Sequence, residues 1–506
     1  MTENANLFAR LFDGLDDPAK LAIETAAGKH ISYGELVKFS GRTANYLVAR
    51  GVKPGDRVAA QTEKSVAALV LYLATVRAGA VYLPLNTAYT LNELEYFFGD
   101  AEPSLIVCDP SMQAGIEAIA GKIGAKVDTL DAEGNGSLRE GAAKSSAEFE
   151  TVARAGDDLA AILYTSGTTG RSKGAMLTHD NLVSNSLTLK DVWRFTDKDV
   201  LIHALPIYHT HGLFVASNVT LFSRAAMIFL PKLDPELIIR LMARATVLMG
   251  VPTFYTRLLQ SERLTKESTS HMRLFISGSA PLLAETHREW FARTGHAVLE
   301  RYGMTETNMN TSNPYDGERV PGAVGFPLPG VAARVTDPET GKELARDEIG
   351  MIEVKGPNVF KGYWRMPEKT KSEFRDDGFF ITGDLGKIDH KGYVHILGRG
   401  KDLVISGGFN VYPKEVESEI DAIPGVIESA VIGVPHADFG EGVTAVVVCD
   451  KKTKLDEASV LRALDGRLAK FKLPKRVLFV DELPRNTMGK VQKNVLRDTY
   501  ASIYIT

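Results

Sequence analysis

Short runs of Val, Ile and Leu alternate with helix-period patterns along most of the chain. "DRVAAQ" is followed by a helix that Ser65 opens, then by "AVYLPL" and "PSLIVCD". Apolar runs of that length, bounded by turn residues, predict buried strands. Their alternation with helices predicts βαβ units, and so largely parallel sheets covered by helices. The most lipid-like stretch, "VAALVLYLATVRAGAVYLPL", contains Arg77 and Gly79 and ends beside Pro84. It reads as a buried helix followed by a strand, not as a membrane span. Residues 110–156 are rich in Ala, Gly, Ser and charge, and are expected to form mostly a variable surface.

The pattern changes at "ILGRGKDLVISGGFN", residues 396–410, which carries glycines at 398, 400, 407 and 408. Beyond it the sequence predicts a compact unit with its own small core. That unit has a helix beginning "YPKEVESEI", strands "SAVIGVP" and "TAVVVCD", a helix near 456–470 and a strand "RVLFVDEL". A glycine-rich joint between a large and a small domain is where a hinge belongs.

Composition narrows the class without naming a function. The 506 residues exceed what one hydrophobic core usually holds. At 44% hydrophobic, 24% charged and a net charge of -4, the chain has the balance of an ordinary globular protein. That balance leaves no electrostatic footprint for nucleic acid. Cys108 and Cys449 each close an apolar run, which fits buried strand ends and a reducing compartment. The opening "MTENANLFARLFDGL" lacks the basic start and apolar segment of a signal peptide, so a cytoplasmic protein is expected.

The densest chemical signal is "LAAILYTSGTTGRSKGAMLTHDNL", residues 159–182. An apolar run ends at Tyr164, a loop of hydroxyls and glycines follows, and Lys173 precedes a helix capped near Thr178–Asp180. Glycines let backbone N–H groups turn toward an anion; Ser166, Thr168 and Thr169 add donors, and Lys173 adds charge. This is the chemistry of a phosphate cradle. It is not a Walker A loop, which has four residues between its first glycine and its Gly-Lys pair.

"YTSGTTGRSKG" resembles the phosphate loop of the adenylate-forming superfamily, which includes acyl-CoA synthetases, nonribosomal adenylation domains and firefly luciferase. "RYGMTET" (301–307), "DGFFITGDLG" (377–386), "GRGKDLVISGGFNVYPKEVE" (398–417) and "PRNTMGKVQK" (484–493) match in the family's order, nearly end to end. The resemblance implies an α/β fold whose large N-terminal domain, residues 1–397, has parallel-rich sheets layered with helices. It implies a hinge at 398–402 and a small mobile α+β domain at 403–506. It also implies ATP, Mg²⁺ and the co-substrate CoA.

Carried over residue by residue, the resemblance assigns ATP or AMP to Thr165, Ser166, Gly167, Thr168, Thr169, Gly170 and Lys173 on the loop. On the facing walls it assigns Ser279, Ala280, Tyr302, Gly303, Thr305, Asp384 and Arg399. Glu306, a hard oxygen ligand, would hold Mg²⁺. Tyr302 would offer its face to adenine, Asp384 would accept from ribose, and Arg399 would donate to ribose or phosphate. Lys490, with Thr168 and Lys173, is the expected catalytic set, because adenylation develops negative charge that a delivered lysine stabilises. The same lysine is expected to be a target for an acetyltransferase and a deacetylase. Lys401 is the expected hinge residue, and Gly407 and Gly408 the expected lining of the pantetheine tunnel.

The acyl end is read from "LPIYHTHGLF" (205–214), "GVPTFYTR" (250–257), "LFISGSAP" (274–281) and "MTETNMNTS" (304–312). A cation and several donors facing an alkyl tail would be costly, whereas a second carboxylate on the substrate resolves that conflict. Arg257 by helical pattern alone divides evenly between solvent and ligand. If "HTHG" lies on a strand, both histidines share a face, but no third metal ligand follows. These stretches closely resemble the malonyl-CoA synthetases. That resemblance makes His209, Arg257 and Ser279 the expected readers of a free carboxylate and malonate the expected acid, with methylmalonate in range. A short- or medium-chain monocarboxylate ligase is the alternative; a catalytically silent nucleotide sensor is a remote one. The expected partners are a dicarboxylic acid, ATP and CoA, with no nucleic acid and no membrane span; the oligomeric state stays open.

Overall fold

The structure is a computed structural model describing residues 4–165, 172–406, 409–436, 438–450, 453, 455–468, 470–486 and 489–504. The apolar runs are strands of two large sheets. One orders Phe326–Pro327, Asn308–Ser312, Leu299–Met304, Leu274–Ser277, Val247–Gly250, Val200–His203, Ala226–Phe229, Leu21–Thr25 and His30–Ser32. Its six middle strands, from Leu299–Met304 to Leu21–Thr25, run parallel, and antiparallel strands close both ends. The other runs from Gly362–Tyr363 through Lys173–Thr178, Leu159–Thr165, Val81–Pro84, Arg57–Gln61 and Leu105–Cys108 to Lys126–Thr129.

The lipid-like stretch is the helix Val66–Arg77, N-capped by Ser65, and the strand Val81–Pro84. Every residue of that helix from Ala68 to Arg77 is buried, because it packs in the core shared by both sheets. Among the described residues, no helix is long and apolar enough to cross a membrane.

Residues 110–156 are mostly exposed or half-buried, as expected of a surface segment, and they also carry regular structure. They include the helices Gln113–Ile123 and Ser137–Ala143, and the edge strand Lys126–Thr129. An edge strand of four residues, with Lys126 exposed and Asp128 buried, offers neither a long apolar run nor a clean alternation. A third sheet, Ala332–Thr336, Gly350–Lys355, Phe380–Ile388 and Val394–Arg399, is wholly antiparallel.

Beyond the turn Gly400–Asp402 stands a separate five-stranded sheet. Its run "VTAVVVC" is apolar throughout because both faces are covered. Val443, Ala445 and Val447 face the core built with helices Pro413–Asp421 and Glu457–Leu464, while Val446 and Val448 pack with Leu483 and Leu496. The helix expected near 456–470 ends earlier, at Leu464.

Candidate active site

Strands Leu159–Thr165 and Lys173–Thr178 form the hairpin that presents the phosphate loop, with Thr165 directly opposite Lys173. Ser166, Gly167, Thr168, Thr169 and Gly170 lie outside the described residues. Thr165 donates its hydroxyl to the Lys173 carbonyl at 3.4 Å. The Lys173 ammonium stands 4.5 Å from the centroid of the Tyr363 ring, and Tyr363 donates its hydroxyl to Glu306 Oε1 at 2.9 Å. Tyr363 therefore joins the lysine of one motif to the glutamate of another. The sequence reading missed it; the short strand Gly362–Tyr363 that carries it holds no charge to draw attention.

Glu306 is buried, and loss of solvent pushes its carboxyl above the usual range, only partly offset by hydrogen bonds and by Arg399 and Lys173. A carboxylate in that position gains from a cation brought to it. A lone hard oxygen fits Mg²⁺ whose remaining ligands are phosphate and water. Among the described residues no cluster of three His, Cys, Asp or Glu side chains offers a self-sufficient metal site.

The wall expected to hold the nucleoside is built by strand register. Asp384 and Arg399 are opposite one another on neighbouring strands, and Arg399 Nε lies 2.8 Å from Asp384 Oδ1. Tyr302 donates to Asp384 Oδ2 at 2.5 Å. The Asp384 N–H donates to Thr382 Oγ1, whose hydroxyl is tied to the Ile352 carbonyl at 2.7 Å. The Asp384 charge raises the Arg399 guanidinium above its ordinary value, so the guanidinium stays charged. Gly303 is glycine for a steric reason: a Cβ there would stand 1.8 Å from the Asn308 carbonyl oxygen. Ser279, at φ +71°, and Ala280 follow the strand Leu274–Ser277 and are half-buried, as is Thr305 after Tyr302.

The acyl end differs from expectation. "HTHG" does not lie on a strand: it leads into a wide π-type helical turn, His211–Ser217. The His211 N–H donates to His209 Nδ1 at 3.3 Å, and His211 Nδ1 lies 3.3 Å from Ser279 Oγ. Arg257 is exposed on the helix Pro252–Leu259, and it makes no ion pair among the described residues. The buried cation is Arg301, only 3% exposed, whose Nε and Nη2 have no hydrogen-bond partner among the described residues.

The Arg301 guanidinium lies across the backbone of Gly278, where a Cβ would meet its Cζ at 2.4 Å. Burial pulls its pKa down to about 9. Burial, with Arg301 as the next cause, holds His209 at about 4 and His211 well below its usual value. Both imidazoles are therefore neutral near pH 7, beside an uncompensated guanidinium. The signal was present in "LERYGM", two charges inside a strand of the main sheet. Glu300 accepts from the Gly322 N–H at 3.1 Å, whereas Nε and Nη2 of Arg301 find no partner among the described residues, which leaves Arg301 as the unmatched one.

Lys490 reaches the cleft from the C-terminal unit. Its N–H donates to Asn486 Oδ1 and its carbonyl accepts from the Asn486 N–H, both at 2.9 Å, closing a tight loop. The residue as a whole is exposed, while its amine stands among the charges of Arg399, Asp384, Asp402 and Glu306. Desolvation, then Arg399, lowers its pKa. Lys401 occupies the turn between the units; desolvation, partly offset by Asp402, brings its amine down to about 8. Asp402 is paired with Arg497 of helix Lys493–Thr499. Gly407 and Gly408 lie outside the described residues.

The model of the AMP-binding enzyme family matches residues 15–364, and that of the AMP-binding enzyme C-terminal domain matches 415–490. This chain belongs to the AMP-binding enzyme family. Among relatives of this AMP-binding enzyme, a malonate–CoA ligase of Arabidopsis thaliana is 36% identical over 526 residues, spanning 94% of this chain and 86% of the relative. Among solved structures, ATP-bound MatB from Rhodopseudomonas palustris is 81% identical, with a TM-score of 0.98 over 99% of this chain and 100% of that one. Apo MatB from the same organism, at the same identity and coverage, superposes with a TM-score of 0.87. The arrangement that brings Lys490 to the cleft is thus nearer the ATP-bound form.

Proposed function

We propose that this AMP-binding enzyme is a malonate–CoA ligase that also accepts methylmalonate. It is an AMP-forming acid–CoA ligase, with ATP, Mg²⁺ and CoA as its reaction partners. A malonate carboxylate attacks the α-phosphate of ATP, forming malonyl-AMP and releasing pyrophosphate. The CoA thiolate then attacks the acyl carbon, the acyl–phosphate bond breaks, and malonyl-CoA and AMP leave. ATP activates the acid, so positioning and charge stabilisation are what the protein supplies.

The observation that carries malonate is Arg301. A buried guanidinium with unpaired nitrogens is strongly disfavoured unless an anion joins it. Its place against the "SGSA" wall, with His209, His211 and Ser279 nearby, suits the second carboxylate of a dicarboxylic acid. In this reading Arg301 takes the role expected of Arg257, while His209 and Ser279 keep theirs. A substrate with one carboxylate leaves that charge unmatched.

The other roles follow the family resemblance. Thr165, Ser166, Gly167, Thr168, Thr169, Gly170 and Lys173 bind the phosphates, and Glu306, held by Tyr363, binds the Mg²⁺ that screens them. Ser279, Ala280, Tyr302, Gly303, Thr305, Asp384 and Arg399 surround the nucleoside. Lys490 stabilises charge in adenylation, and acetylating it would remove that charge. Lys401 absorbs the rotation that brings Gly407 and Gly408 to the pantetheine, with residues 1–397 and 403–506 as the bodies that move. The two free cysteines suit a cytoplasmic setting.

The test is pyrophosphate release with malonate, methylmalonate, succinate and acetate. Malonate should give the highest kcat/KM. Acetate matching or exceeding it would make the enzyme a monocarboxylate ligase, and no turnover with any acid would favour a nucleotide sensor.

A further inference from the structure

Lys64 follows strand Arg57–Gln61 in the smaller of the two large sheets, yet its amine reaches the other one. It donates to His203 Nδ1 at 2.9 Å and to the His203 carbonyl at 2.8 Å, at the end of strand Val200–His203. It also stands 4.2 Å from the centroid of the Phe229 ring. Both residues are buried, and neither has a carboxylate partner among the described residues. Burial draws both pKa values well below their usual ranges. Such an amine is expensive to bury, so what it holds in place matters.

The remaining contacts define the His203 ring. Ser217 donates its hydroxyl to the Gly212 carbonyl at 2.9 Å, and His203 Nε2 lies 2.9 Å from that carbonyl and 3.1 Å from Ser217 Oγ. Nε2 therefore carries the hydrogen, and Nδ1 is free to accept from Lys64. Gly212 and Ser217 belong to the wide turn His211–Ser217, which brings His211 to Ser279. Gly212 sits against the Pro206 carbonyl, where a Cβ would stand at 2.0 Å. A π-type turn is uncommon and holds its shape only when its carbonyls find partners. Here His203 and Ser217 supply the partner for Gly212.

We infer that Lys64 is a positioning residue for the acid-binding end: through His203 and the Gly212 carbonyl it fixes the turn that aims His211 at Ser279. The inference rests on the malonate reading of that site. Lys64 acts through the contact between His211 and Ser279, whereas Tyr302, Asp384 and Arg399 of the nucleotide wall stand on other strands than His203.

The experiment compares Lys64→Met, Lys64→Arg and Ser217→Ala with the wild-type chain in malonate-dependent pyrophosphate exchange. Lys64→Met should raise the malonate KM about tenfold, which is about 1.4 kcal/mol, and leave the ATP KM within about twofold. Lys64→Arg, which keeps donors for His203, should restore most of the loss; Ser217→Ala should shift malonate KM in the same direction, by less. Adding Lys64→Met to Ser279→Ala should cost little beyond Ser279→Ala alone, because both act on one contact. Equal rises in both KM values, or losses that multiply in the double variant, would overturn the inference. If Lys64→Met does not fold, Ser217→Ala decides by the same split. Wild type idle on malonate refutes the functional reading; wild type active with unchanged variants refutes this inference alone.

Discussion

Gly489 of the C-terminal unit packs its backbone against Thr253 on helix Pro252–Leu259, so closely that a Cβ would stand 3.4 Å from Thr253 Oγ1. At φ +74°, Gly489 also occupies the left-handed region that glycine takes without strain. This seating places the next residue, Lys490, at the cleft between Arg399 and Glu306. Lys490→Ala should abolish malonyl-AMP formation while thioester formation from preformed malonyl-AMP continues. Equal loss of both half-reactions would refute the assignment.

Lys490 should also shape the alkaline limb of the pH profile. Its charged form is the useful one, and burial with Arg399 holds its pKa below the ordinary lysine value of about 10.4. As pH rises the charge is therefore lost early, and kcat/KM for pyrophosphate exchange should fall below that value. Lys490→Arg should move the fall upward, since a guanidinium stays protonated. A flat wild-type profile to pH 10 would exclude the lysine as its source.

Arg301→Met separates the two candidate carboxylate readers. Loss of a buried ion pair costs about 3 kcal/mol or more, so malonate KM should rise about a hundredfold, with little change in ATP KM. Without ligand, the variant should melt no lower than wild type, because an unpaired buried charge has gone. Malonate should then raise the Tm of wild type only. Exposed Arg257 predicts a smaller rise, under about tenfold, for Arg257→Ala. The reverse order would return the role to Arg257.

Tyr363→Phe removes the hydroxyl that holds Glu306 and retains the ring beneath Lys173. A hydrogen bond to a carboxylate is worth about 2 kcal/mol, so the Mg²⁺ concentration for half-maximal rate should rise by about tenfold. An unchanged Mg²⁺ titration would separate Tyr363 from the Glu306 site.

Lys401→Pro restrains the backbone between the two units. The ring fixes φ and removes an N–H, so thioester formation should slow more than adenylation. Pre-steady-state measurement of each half-reaction checks this; full-rate thioester formation would move the hinge elsewhere.

Much of this was written locally. The caps at Ser65 and Thr178, the apolar strands, the glycine-rich joint and the order of the motifs depend on neighbours a few residues apart. Gly303 belongs with them, since its side chain is excluded by a turn only five residues long. Residues 110–143 were less legible because a short edge strand buries little and so leaves no periodic signature.

The sequence by itself determined the strand–helix alternation, the phosphate hairpin and the chemical types the site holds. Which charge is buried without a partner was decided only by tertiary structure. On its helix Arg257 had equal claims to solvent and ligand, and packing left it exposed. Arg301 lay in a strand that buries both its charges, and only the Gly322 N–H at Glu300 reveals which one is unmatched. Lys490 enters the cleft because a second unit seats its neighbour Gly489 against Thr253. Burial and the meeting of distant strands are properties of the whole fold, and no local spacing encodes them.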